Sequence, residues 1–401
     1  MKNIKTKKHL VIGVLLFLIN PLISLFYSSL VFFKSQGCIL VLSLSLSLIF
    51  IYQPLMYDTS ANFFLSLYSE HYNLYNLIPT KLRGWFSIDY YYSVLLYTSI
   101  IFYCWFKPIS HLSKNVTNRT SLNILIIISF LSIIYRDIMD LNRFYLSISI
   151  SIYYLYYIRS QHKSFLTLLF FLFLSVLTHS FSIVIFVSYF ISSIFNNKSL
   201  YSYYILTCLI IGVFFGNLTQ SVVLSILHYS GLDISLVYFG EGSWGHNEYS
   251  NNTLLRKILE CTIVLVLSLT SLRYKQRESK KDINVNLILI LSGICLLFFS
   301  FKTLFERAFI SLCLYSIYLF TLNIKNNILK YLILLLFAFR FIMINFVRYG
   351  DVFLSGHTDV LPDFNSKIEV QLKPLYYPTP FLLDIDNGYS DEFIIKNSIW
   401  K

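Results

Sequence analysis

Charge is what this 401-residue sequence lacks most: 13% of its residues are Asp, Glu, Lys or Arg, against roughly a quarter in ordinary soluble domains. Acids are the scarcer sign, 20 against 32 basic residues, for a net charge of +12. With 56% of residues hydrophobic, one water-soluble core could not bury the apolar surface, and disorder requires the opposite composition. The cations stand in ones and twos between apolar runs and form no stripe along which a phosphate backbone could lie, so no nucleic-acid partner is expected. The six cysteines (Cys38, Cys104, Cys208, Cys261, Cys295, Cys313) fall in or beside apolar runs without a C-x-x-C pair or a close histidine. That pattern suggests neither a zinc site nor a disulfide framework, and they read as small hydrophobes. No metal and no cofactor is expected.

What the sequence does have is apolar runs, recurring from His9 to Val347. A membrane-crossing helix takes roughly 20 such residues. Charged or Gly/Asn/Pro-rich breaks divide the chain into about twelve units: 9–32, 38–56, 90–106, 121–135, 142–158, 165–179, 180–194, 201–220, 257–272, 286–302, 306–322 and 328–347. None alternates polar and apolar residues as a lipid-facing barrel strand would, so the expected fold class is all-α, a polytopic integral membrane protein. The Lys-rich start lacks an A-x-A-like cleavage site, and a retained first span is expected. A transmembrane domain of residues 1–347 is followed by a polar, extracytoplasmic tail of residues 348–401. Setting the basic segment Arg273 to Lys281 in the cytoplasm places the Lys and Arg of most other short loops there too. The long segments 57–89 and 221–256 then lie outside with the tail. Lys2, Lys5, Lys7 and Lys8 disagree with twelve spans, unless a break at Asn20-Pro21 turns the first run into a short hairpin.

The richest polar stretch is Tyr135-Arg136-Asp137-Ile138-Met139-Asp140-Leu141-Asn142-Arg143-Phe144, followed by an apolar helix, a basic turn and a second apolar helix ending at Thr178-His179-Ser180. Down one helix of about 16 residues and up the next returns the chain to its starting face, so Arg143 and His179 share one boundary. Ionisable groups at membrane depth are costly, which makes them functional candidates. Arg143 could equally pair with Asp140, and His179 could simply cap a helix.

The segment Arg143-Phe144-Tyr145-Leu146-Ser147 at a helix head, with the following helix ending in Thr178-His179-Ser180-Phe181-Ser182, resembles the Arg and H-S signatures of EpsG-type and Wzy-type polysaccharide polymerases. An early acid in Met56-Tyr57-Asp58-Thr59 resembles that family's D-x-x-x-Y segment, although Asn62-Phe63 stands where the Tyr is expected. A late arginine in Phe305-Glu306-Arg307-Ala308 matches as well. The resemblance implies a membrane glycosyltransferase of the bacterial cytoplasmic (inner) membrane. It would join undecaprenyl-diphosphate-linked oligosaccharide repeat units into O-antigen or capsular polysaccharide, with membrane lipid, a flippase and a chain-length regulator of the same pathway as partners.

The chemistry of the residues is compatible with this. Guanidinium groups bind phosphate oxygens bidentately without a metal, and Arg136, Arg143, Arg307 and Arg340 are available clamps for a diphosphate leaving group. His179 or Asp58 could take the acceptor hydroxyl's proton. Trp244, in Gly240-Glu241-Gly242-Ser243-Trp244-Gly245-His246, suits a mobile lid with a sugar-stacking ring, and equally a plain flexible surface loop. Each has a structural alternative: Arg307 beside Glu306 as a charge pair, Arg340 snorkelling outward, Asp58 as a helix cap, Arg256 with Glu260 as a structural pair, and Asp384-Ile385-Asp386 as a plain turn and not a metal motif. Three other functions compete. A ligase would share most of this chemistry; a lipid-linked oligosaccharide flippase or transporter should show two similar halves and mid-membrane charges; an acyltransferase should carry an early or deeply placed catalytic histidine.

Overall fold

The first apolar run shows how breaks in the sequence become breaks in the structure. A helix α1, Lys2–Ile19, ends where Asn20 adopts an extended conformation, and α2, Pro21–Val31, begins with its proline in the first turn. The Asn20 side chain accepts from the N–H groups of Leu22 (2.8 Å) and Ile23 (3.2 Å), satisfying donors that every helix start leaves open. His9 meets Tyr27 and Gly13 O accepts from Ser24, so the two helices run antiparallel as a hairpin.

The computed structural model describes residues 2–67, 73–116, 118–216, 251–277, 281–322, 327–350 and 368–397, with isolated positions between 218 and 229. All regular secondary structure among the described residues is helical. After α2 come α3 (Gly37–Ile51), α4 (Tyr57–Leu67), α5 (Leu74–Phe86), α6 (Tyr90–Leu112), α7 (Arg119–Leu131), α8 (Tyr135–Asp140), α9 (Asn142–Tyr153) and α10 (Arg159–Gln161), the last joined to α9 by a π-helical turn over Tyr154–Ile158. Then follow α11 (Phe165–Thr178), α12 (Ser182–Ile194), α13 (Lys198–Phe214), α14 (Asn251–Arg277), α15 (Ile283–Leu297), α16 (Lys302–Tyr315) and α17 (Asn327–Ile342). The C-terminal part holds α18 (Ile368–Tyr376), α19 (Thr379–Leu382) and α20 (Asp391–Asn397).

Every one of the twelve apolar runs is helical where described, which the expected fold class requires. The count of twelve membrane spans is not confirmed. Among the described residues two stretches, Lys302–Thr321 and Ile328–Val347, each 20 residues, are long and apolar enough to cross a bilayer, and seven further apolar helices have 10–17 residues. Capping breaks such as Asn20 and the turn at His179 cut the runs short. α11 nevertheless exposes Phe165, Leu166, Phe170 and Phe173 together, a face that needs an apolar covering.

The chain divides into two units. One comprises residues 1–114, 133–183 and 341–401. In it α3 packs on α2 and α6, and α9 on α6 and α11. Its C-terminal segment is held by specific bonds. Asn20 Nδ2 donates to the carbonyls of Pro374 and Tyr377, both at 3.0 Å, and the Tyr52 hydroxyl donates to Leu382 O at 2.8 Å. Tyr389, 1% exposed, packs on Tyr91. The other unit comprises residues 115–132 and 184–340. Its centre is α15, buried on almost all sides. Gly293 lets the Tyr204 ring of α13 approach so closely that any Cβ would collide with it.

Candidate functional site

The first unit gathers four of the residues singled out in the sequence: Asp58, Arg136, Arg143 and His179. α4 is fixed on α8 at its beginning. The Asp58 N–H donates to Asp140 Oδ1 (3.4 Å), the Thr59 hydroxyl donates to Met139 O, and the Tyr135 hydroxyl donates to Pro54 O (2.8 Å). Asp58 therefore lies in the first helical turn, where its charge suits the helix dipole. Burial, then the charges of Asp58 and Asp140, push the Tyr57 phenol above its ordinary pKa.

Along α8, Arg136 bonds Asp140 at 2.6 Å and the fully buried Asp137 at 3.3 Å, and lies 5.5 Å from the centre of the Tyr349 ring. Asp140 is thus engaged by Arg136, one turn before it. At Leu141 the backbone leaves the helical region (φ −121°, ψ 38°), and α9 restarts at Asn142 and Arg143 without a side-chain cap. The expected alternative, an Arg143–Asp140 pair, does not form, because the break at Leu141 takes Arg143 out of helical register with Asp140. Arg143 has no acidic partner among the described residues, and its Nε is buried without an acceptor.

Beside it lies Tyr75, on α5. The Tyr75 hydroxyl donates to Asn142 Oδ1 at 3.0 Å, its ring stacks on Tyr97 with centroids 4.5 Å apart, and the Tyr97 hydroxyl donates to Tyr75 O at 2.7 Å. Burial raises the Tyr75 pKa, and Asp58 raises it further, while a hydrogen bond with Tyr90 and then the charge of Arg143 oppose. One phenol therefore senses the acid from α4 and the cation from α9.

The helical pair α9–α11 closes the loop between Arg143 and His179. The Ser147 hydroxyl donates to Ser175 O (2.9 Å) and His179 O (3.3 Å), and the imidazole meets Phe144, the neighbour of Arg143, edge to face at 5.4 Å. His179 ends α11 in an extended conformation, is 8% exposed, and its Nδ1 accepts the Phe181 N–H at 3.1 Å. With Nδ1 used as an acceptor, the neutral ring carries its proton on Nε2. The structure therefore includes the capping contact, and in the neutral ring Nε2–H is the donor.

In the second unit Arg256 bonds Glu260 at 2.8 Å and Glu306 at 2.9 Å, so the expected Arg256–Glu260 pair is part of a triad that includes Glu306. Arg307 is half-buried at the head of α16. Arg340 is 2% exposed with its guanidinium 5.0 Å from the Phe309 ring centre, a cation–π contact and not an outward snorkel. Lys257, which the sequence did not single out, is buried, donates to Phe299 O at 2.9 Å and lies over the Phe299 and Phe305 rings.

Trp244 and its glycine-rich loop lie outside the described residues. Asp384 Oδ1 accepts the Asp386 N–H at 3.2 Å, the plain turn, and no group of three metal-ligating side chains occurs among the described residues. Tyr75 and Asn142 are the residues of this site that sequence reasoning missed. Asn142 was in view beside Arg143, but nothing local marks the 67-residue reach between them.

The EpsG family model matches residues 52–358. No curated protein and no solved structure matches.

Proposed function

Because the chain belongs to the EpsG family, a membrane family with a polysaccharide-polymerase type of function, we propose that it extends chains from undecaprenyl-diphosphate-linked oligosaccharide repeat units, destined for O-antigen or capsule. In this reading it is a multi-pass protein of the bacterial cytoplasmic membrane and works at the outer face. The observation that carries the proposal is Arg143, a half-buried guanidinium whose Nε has no protein acceptor, on the helix that α11 and His179 pack against. A fixed cation of this kind suits a diphosphate, which it can bind through two parallel N–H bonds.

The reaction joins an acceptor hydroxyl to the anomeric carbon of the donor. The bond from that carbon to the diphosphate oxygen breaks, its electrons leave on the lipid diphosphate, and the hydroxyl loses a proton. Arg143 stabilises charge on the departing diphosphate, the electrostatic role that usually contributes most. Arg307 and Arg340 supply further positive charge in their own unit. His179, whose Nδ1 accepts the Phe181 N–H, donates through Nε2–H to a substrate oxygen, and Asp58 is the carboxylate that receives the proton. Trp244 stacks on sugar.

Deleting the protein in its host and running surface polysaccharide on a gel tests the reading. A ladder collapsed to one repeat unit supports polymerisation. Polymer that accumulates on carrier lipid without reaching its final acceptor refutes it in favour of a ligase. Arg143→Ala should insert normally and give the collapsed ladder; normal chains from it would remove Arg143 from the mechanism.

A further inference from the structure

The start of α9 carries two adjacent buried donors with nothing to donate to. Asn142 is 1% exposed, its Oδ1 is occupied by the Tyr75 hydroxyl, and its Nδ2 has no acceptor. Arg143 Nε is in the same condition. Native proteins rarely leave buried donors unmet, because each forfeits its bonds to water, and such groups call for an explanation. Here a third element points the same way: the cap residue of α9, Leu141, offers no side-chain bond to the first N–H groups of the helix.

We infer that Asn142 Nδ2, Arg143 and the uncapped start of α9 form an oxyanion subsite that takes a phosphate of the lipid diphosphate, with Tyr75 as the positioning residue that turns the Asn142 amide nitrogen toward it. This rests on the function proposed above and adds to it a ligand contact, Asn142, and a positioning residue, Tyr75. Tyr75 is well placed to hold the amide. It is 1% exposed, clamped by stacking on Tyr97 and by the Tyr97 hydroxyl on its carbonyl. Its single hydroxyl hydrogen is given to Oδ1, so the amide cannot rotate without losing that bond. An anion bound between Asn142 Nδ2 and Arg143 Nε would satisfy both donors and gain the field of the helix start, the combination that makes helix N-termini anion sites. The break at Leu141 is what brings it about, since a continuous α8–α9 helix would bond its own N–H groups internally.

The test is equilibrium binding to the full chain in nanodiscs, with undecaprenyl diphosphate, undecaprenol and inorganic pyrophosphate as probes. Wild type should prefer the diphosphate lipid to the alcohol. Asn142→Asp, nearly isosteric but turning a donor into an acceptor, should weaken undecaprenyl diphosphate and pyrophosphate about tenfold or more, the size of a lost charge-assisted hydrogen bond, and leave undecaprenol unchanged. Tyr75→Phe should weaken the diphosphate about threefold. Loss of binding in Arg143→Ala alongside wild-type affinity in Asn142→Asp would overturn the subsite while the polymerase reading stands. If wild type binds undecaprenol as well as the diphosphate, the diphosphate reading itself fails and takes the subsite with it. Should Asn142→Asp not be recovered as a monodisperse protein, Tyr75→Phe, which removes a single oxygen, decides: unchanged affinity refutes the positioning role.

Discussion

Asp391 offers the sharpest test of how the C-terminal segment holds the first unit together. Its Oδ1 accepts the N–H of Tyr90 at 2.9 Å, in the opening turn of α6, where Asp89 occupies the cap position without making a cap bond itself. Its Oδ2 meets Arg83, with the two side chains 18% and 25% exposed. Asp391→Ala removes a capping acceptor, about 1 kcal/mol, and an ion pair exposed enough to be worth less than about 1 kcal/mol. The sum is about 1.5 kcal/mol. For units of this size that corresponds to roughly 3–6 °C in melting temperature. Asp391→Asn keeps an acceptor for the Tyr90 N–H and should lose no more than about 0.5 kcal/mol.

The pH dependence adds a second arm. Burial raises the Asp391 pKa above its ordinary 3.8, overriding the Tyr90 N–H and Arg83, which act to lower it. The folded state therefore holds this proton more tightly than the unfolded state, and the stability it contributes is present at low pH and lost as pH rises through the raised value. Melting followed by size-exclusion fluorescence from pH 4 to 8 should show that decline in wild type and a flatter profile in Asp391→Asn. Equal destabilisation by Asn and Ala would show that charge and not capping matters, and refute the reasoning.

His179→Gln, which can offer an amide N–H near the position of Nε2 but cannot act as a base, should retain at least a tenth of chain extension where His179→Ala retains none; equal loss in both would favour a proton-transfer role. Gly293→Ala should cost about 1–3 kcal/mol by driving a Cβ into Tyr204, while Gly84→Ala, whose Cβ meets nothing within 4 Å, should be neutral or gain up to about 1 kcal/mol from helix propensity. Thermal melts of the two variants compare them directly. Arg256→Ala leaves Glu260, 2% exposed, and Glu306 without their shared cation; a loss of about 2 kcal/mol is expected after allowing for the partial exposure of the arginine, and Glu260→Gln should recover part of it.

Helices and their breaks were legible in the sequence because both are local: apolar runs make the first and capping residues such as Asn20 make the second. The number of bilayer spans was less legible, since caps such as Asn20 divide a long apolar run into shorter helices. That the start of α9 meets the end of α11 followed from helix rise alone, and the Ser147 and Phe144 contacts to His179 show it. Partner choice did not follow. Asp140 has an arginine four residues before it and another three after, and only the backbone at Leu141 decides between them. Tyr75 and Asn142 meet across 67 positions, and Lys257 hides among phenylalanines from a neighbouring segment. Such encounters depend on tertiary packing, which no window of sequence contains.

The bonds from Asn20 to the carbonyls of Pro374 and Tyr377 span more than 350 positions. During synthesis the ribosome delivers α1 and α2 long before those acceptors exist, so the first hairpin must wait with its asparagine amide provisionally satisfied. Ring closures this large are reached late, after the intervening helices have formed. Lesions in α18 or the turn after it should therefore trap the early-made hairpin in an unfinished, protease-sensitive form, even though its helices have already been translated.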